Sequence, residues 1–136
     1  RLALGDPISP DYRALPRATY TDPELAFVGL TLEQAREAGY DAFEQVADFP
    51  KTAKGYSVEA EFGHVTIVVD RASHELVGAA LAVPDASAAI HECVLAIQAR
   101  VKVEVLAETI HAFPSTSRIF NGLFAAAARE LRGTPQ

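Results

Sequence analysis

Residues 103–120 read VEVLAETIHAFPSTSRIF, and the Phe113-Pro114 step divides them into two helices with a turn between. Val103, Leu106, Ala107 and Ile110 recur at helical spacing before the turn, which predicts one amphipathic helix there. Ile119, Phe120, Leu123, Phe124, Ala127 and Leu131 repeat the pattern after it. The turn itself, HAFPSTSR, is polar. Its proline disfavours helix in the residue before it, and Ser115 and Ser117 are both candidate caps for the second helix. A short loop held between two packed helices presents its backbone rigidly. Periodicity does not say what Ile119, Phe120, Leu123 and Phe124 pack against.

Upstream of this stretch, Pro84-Asp85 opens another helix, with Ala89, Ile90, Cys93, Val94 and Ile97 as its apolar stripe up to about Arg100. Before it, the alternation in His64–Val69 and Glu75–Val83, across the DRASH turn, predicts an antiparallel hairpin. Ala42–Phe49 is a further strand, ended by Pro50, and Lys51–Gly63 is polar and expected to be looped in part. Thr31 with Gln34 makes a capping box for the helix TLEQAREAG, which stops at Gly39. Short strands are expected at Ala18–Thr21 and Leu25–Val28, around the Asp22-Pro23 turn. Residues 1–16 hold three prolines and no sustained period, so they read as a lead-in, with 17–133 as the domain and 134–136 as a tail. Strands first and helices last predict an α+β fold, a mainly antiparallel sheet with helices on one face.

Composition narrows the function classes. The net charge of −6 leaves no basic footprint for nucleic acid or an anionic membrane. No apolar run approaches the ~20 residues of a membrane span. The single Cys93 excludes an internal disulfide and suits a reducing, cytoplasmic location. There is no methionine and the first residue is Arg1, from which we expect a piece of a longer chain.

The usual catalytic and binding devices are missing from the pattern. The eight glycines form neither G-x-G-x-x-G nor a P-loop. His64, His74, His91 and His111 show no metal-ligand spacing with Cys93, so no metal site is expected. Cys93, on an apolar stripe, reads as a buried and inert thiol. His111 is either an acid/base or a solvated or capping side chain, and with Ser115 or Ser117 it offers the one nucleophilic constellation for a stand-alone small enzyme. Arg118 either meets an anion at the turn or pairs with Glu130 or Asp85. A free-standing binding module is the third possibility.

The stretch Ala18–Gly39, ATYTDPELAFVGLTLEQAREAG, resembles the opening of the C-terminal dimerisation domain of the pyridine nucleotide–disulfide oxidoreductases. This family includes dihydrolipoamide dehydrogenase, glutathione reductase and mercuric reductase. T-D-P-E-x-A-x-V-G-L-T is a long and specific motif, and the similarity continues through VTIVVDRASHELVGAALAVPDA, IHECVLAIQARV and LAETIHAFPSTSR, about residues 17–125 in all. The resemblance implies a homodimer whose parent chain binds FAD and NAD(P) in two further domains. It also implies that the turn, with a cis X-Pro bond at Phe113–Pro114, lies beside the partner's flavin. Ala112, Phe113 and Pro114 are then the cofactor-contacting residues, while the fragment alone binds no cofactor and catalyses nothing.

The departures from the family pattern carry information too. In thiol-reducing members a histidine precedes this proline, and a glutamate five positions later orients it. Phe113 and Arg118 stand there here, so the turn holds no catalytic pair, and His111 matches only an outer histidine of the motif. Ala88 replaces a usual glutamate, and Lys102 replaces the threonine that caps the following helix. Mercuric reductases share Phe-Pro but follow it with tyrosine, where this chain has Ser115, and they end in a cysteine pair. The resemblance therefore implies a mercuric-reductase-like or dihydrolipoamide-dehydrogenase-like parent with the usual His/Glu pair replaced, passing electrons from NAD(P)H through FAD to a quinone, dye, metal or disulfide.

Overall fold

A computed structural model describes Gly5 and residues 9–133; the remainder of the expected lead-in, and the expected tail 134–136, lie outside the described residues. Strands β1 (Arg17–Thr19), β2 (Leu25–Gly29), β3 (Ala42–Asp48), β4 (His64–Asp70) and β5 (Leu76–Ala82) form one sheet in the order β1-β2-β5-β4-β3. Every pairing is antiparallel. Helices α1 (Leu32–Glu37), α2 (Ala53–Ser57), α3 (Ala86–Gln98), α4 (Val103–Glu108) and α5 (Arg118–Leu131) complete the α+β fold.

One face of the sheet carries the main core. Ala26 and Val28 of β2, Val65, Ile67 and Val69 of β4, and Leu81 of β5 are buried with Ile90, Cys93 and Ile97 of α3 and with α5. α3 lies over β2 and β5, and α5 over β3 and β4. The ambiguity over α5 resolves inward: Ile119, Phe120, Leu123 and Phe124 are 6%, 0%, 3% and 0% exposed. The rings of Phe120 and Phe124 stack with centroids 5.6 Å apart. Burying each ring contributes about 1.5–3 kcal/mol, so this pair is a large part of what holds α5 down. On the reverse face, α1 makes a smaller cluster through Ala35, with Ala42 and Val68.

The T-D-P-E-x-A-x-V-G-L-T motif is used up inside the fold. Thr21 Oγ1 donates to the Pro23 carbonyl at 2.8 Å across a turn whose Asp22-Pro23 bond is cis. Glu24 reaches over the sheet, and its carboxylate accepts the Ser87 backbone N–H at 2.8 Å. That N–H is in the first turn of α3, whose own N-cap, Asp85, makes no side-chain cap bond. Ala26 and Val28 point into the core. Gly29 has φ 71°, and a Cβ there would sit 2.2 Å from the Val77 carbonyl oxygen. Thr31 and Gln34 close the capping box as expected, and Gly39 leaves α1 with φ 90°.

Several expectations are corrected. The helix before the turn ends at Glu108, because Thr109 is extended (φ −71°, ψ 128°), so Ile110 leaves the apolar stripe and is 95% exposed. The segment after Pro50 is more ordered than a loop. A 3-10 turn at Phe49–Lys51 leads into α2, where Thr52 Oγ1 accepts the Gly55 N–H at 2.9 Å. Lys102 occupies the N-cap of α4 without a side-chain bond, as its missing hydroxyl implies. Residues 9–16 hold no helix or strand, yet Ala14 is 6% exposed and joins the main core. Among the described residues, no helix is long and apolar enough to cross a membrane.

Candidate functional site: the cis-proline turn

The turn between α4 and α5 is fastened at both ends and bare in the middle. At the α4 end, the ring of His111 swings inward. Its Nε2 lies 2.8 Å from Glu92 Oε1 on α3, and its Nδ1 lies 3.1 Å from the Thr109 carbonyl oxygen. Both neighbours are acceptors, so the ring makes both bonds when each nitrogen carries a proton. Asn121 of α5 donates its amide to the Ala107 and Thr109 carbonyls, both at 3.3 Å, which ties the two helices across the turn. At the α5 end, Thr116 is buried. Ala112, Phe113 and Pro114 between these anchors are exposed, with Phe113 at 72% and the Phe113-Pro114 bond cis.

The serines do not cap α5. Ser117, at the N-cap position, has helical angles (φ −62°, ψ −20°) and no side-chain cap bond. Ser115 Oγ donates instead to the Ala112 carbonyl at 2.7 Å, closing the turn on itself. The first helical N–H groups find carbonyls three residues back: Arg118 to Ser115, Ile119 to Thr116 and Phe120 to Ser117. Arg118 pairs with neither Glu130 nor Asp85; its guanidinium donates to Asn121 Oδ1 at 2.8 Å. Glu130 is engaged by Arg71 and by Gln45.

Among the described residues, no hydrogen bond joins His111 to Ser115 or Ser117. His111 bonds to Glu92 and Thr109, and Ser115 to Ala112, so the alternative His–Ser constellation has no hydrogen bond to support it. Burial pushes the Cys93 thiol well above its ordinary value, with the Glu92 carboxylate adding to the shift, so no reactive thiolate is available. Phe113 cannot carry a proton and Arg118 is a permanent cation.

The turn does have a groove beside it, of about 430 Å³, facing the 3-10 turn and α2. Phe113, Pro114 and Ile119 give it apolar walls, and Lys51, Lys54 and Arg118 add cations. Lys51 is paired with Asp48 at 2.6 Å, an exposed bridge that holds the lysine above, and the carboxylate below, its ordinary pKa. Among the described residues, Lys54 and Arg118 have no carboxylate partner within 4 Å. The periodicity of the chain hid Lys51 and Lys54, since they lie in the segment expected to loop. The signal was there: Pro50 and Thr52 are a helix-start pattern.

An antiparallel five-stranded sheet, backed by α3 and α5 and displaying an exposed turn between α4 and α5, defines an α+β domain. The sequence pattern described as the pyridine nucleotide-disulphide oxidoreductase dimerisation domain matches residues 15–123, and the chain belongs to that family. Dihydrolipoyl dehydrogenase 2 of Haloarcula marismortui is 36% identical over 132 residues, which is 96% of this chain and 28% of that protein. Among solved structures, LpdA from Mycobacterium tuberculosis aligns with TM-score 0.79 at 29% identity, covering 96% of this chain and 28% of that one. The HOCl-induced flavoprotein disulfide reductase RclA from Escherichia coli aligns with TM-score 0.78 at 27% identity, covering 82% of this chain and 26% of that one. The chain thus spans little more than a quarter of the relatives it matches.

Proposed function

We propose that this chain is the interface unit of a flavin-dependent NAD(P)H oxidoreductase, pairing with a second copy and completing the partner's flavin site through Ala112, Phe113 and Pro114. The observation that carries the reading is a turn tied down by Glu92–His111 and Asn121 that leaves Phe113 72% exposed. The relatives named as dihydrolipoyl dehydrogenases and as a flavoprotein disulfide reductase support a redox parent.

The residues fit a flavin in one limited way. Neither a glycine-rich loop nor a helix preceded by one is available to hold a pyrophosphate. What the turn offers is the exposed Phe113 ring between the exposed residues Ala112 and Pro114, which suits the flat edge of a ring bound by other domains. When bound, FAD supplies hydride and electron transfer, and NAD(P)H supplies the hydride. The chain's own part is to orient the ring and exclude water beside it. Moving protons to a dithiol is not part of that role, because Phe113 and Arg118 occupy the positions of the acid/base pair. The parent's redox partner is then something other than lipoamide or glutathione.

Light scattering of the 136-residue chain across a concentration series tests the pairing. We expect a species of twice 14.6 kDa. A monomer at every concentration up to about millimolar overturns self-association through this chain.

A further inference from the structure

We infer that the groove between the cis-proline turn and α2 binds an anion with a flat apolar body, with Arg118 and Lys54 as its charged contacts. The inference rests on the reading of the turn as the flavin-facing element, and it names a class of ligand for that site: a flat aromatic anion.

Three features combine at this groove. Its volume of about 430 Å³ suits one small molecule. The exposed Phe113 ring, Pro114 and Ile119 offer apolar and aromatic surface without a hydrogen-bond demand. The cations do not follow from composition, because the chain as a whole carries −6, yet Lys51, Lys54 and Arg118 meet here against the single carboxylate of Asp48. Asp48 is taken by Lys51, which leaves Lys54 and Arg118 to face a ligand. Asn121 accepts from the Arg118 guanidinium and, through its amide, bonds α4 carbonyls, so Arg118 is aligned by the same residue that fastens the turn. A guanidinium held in this way is well suited to a planar oxyanion. An inorganic anion would use the cations and leave the apolar walls wet; a neutral aromatic would do the reverse.

The test uses matched probes on the 136-residue chain, whose fully buried Phe49, Phe120 and Phe124 give it a core of its own. Binding of 2-naphthoate and of the uncharged 2-naphthalenemethanol is followed by amide chemical-shift changes. We expect naphthoate to bind about tenfold more tightly than the alcohol, moving the amides of Lys54 and of residues 115–122. Arg118→Gln and Lys54→Gln each weaken naphthoate by about three- to tenfold and leave the alcohol nearly unchanged, with the gap shrinking as salt is raised. Equal affinity for the two probes in the unaltered chain overturns the inference, as does the absence of saturable naphthoate binding. Unchanged naphthoate affinity in both variants does so too. The outcome is separable from the pairing test: a dimer that ignores naphthoate sinks only the anion site, whereas a monomer that binds it sinks only the pairing.

Discussion

Two signature stretches of this chain are treated in opposite ways by the fold. The T-D-P-E-x-A-x-V-G-L-T stretch is consumed internally: Glu24 caps α3, Ala26 and Val28 enter the core, Gly29 lets β2 approach β5, and Thr31 starts α1. In the A-F-P step of the turn the Ala112 carbonyl helps to close the turn, while the Phe113 side chain stays 72% exposed. The first kind of motif is explained by folding alone. The second is left over once folding is accounted for, and a left-over, rigid, exposed feature is where a partner is to be sought.

The comparison breaks most readily at Gly29. Its φ of 71° disfavours any Cβ, and the Val77 oxygen would lie 2.2 Å from one. Gly29→Ala combines backbone strain with overpacking at a β2–β5 pairing, and we expect a loss of at least about 3 kcal/mol in urea unfolding. A loss under 1 kcal/mol would mean that the motif's glycine is not fixed by the fold, and the contrast with the turn would fail.

A smaller effect is expected at Glu24. Hydrogen bonding from the Ser87 backbone N–H holds its carboxyl below the ordinary value, against a weaker opposing effect of burial. A lowered folded pKa gives stability that is present above the unfolded value and lost as pH falls through the folded one. Glu24→Gln should therefore lower the thermal midpoint at pH 7, and the difference from the unaltered chain should close on acidification. A difference that persists undiminished to pH 2 would assign Glu24 a packing role in place of the charged cap.

How much was legible follows the same division. The strands, the capping box, the hairpin and the α3 stripe were readable because each rests on local periodicity or on a cap within four residues. Glu24 as a cap for α3 was not, since its target Ser87 lies sixty-three positions away and only the sheet brings them together. His111 was visible as a residue type, but its partner Glu92 sits on a different helix. The failure of Ser115 and Ser117 to cap α5 has a local cause: Ser117 is already helical, and Ser115 is spent on closing the turn. Phe113 and Pro114 came from the resemblance, because no rule of folding asks for an exposed aromatic there.

The smallest expected effect is the sharpest probe of the contrast. Phe113→Ser removes an exposed ring from a turn whose anchors are His111, Ser115 and Asn121, none of which depends on that side chain for its hydrogen bonds. Surface replacements away from caps and cores change stability by no more than about 0.5 kcal/mol, and that is the shift expected in urea unfolding. A loss above 1 kcal/mol would show that the ring is a folding residue after all, and the exposed turn would no longer need a partner to explain it. A near-zero change means that the chain gains nothing from Phe113 on its own account. The ring is then free to meet whatever docks on the turn, which is the role proposed for the partner's flavin site.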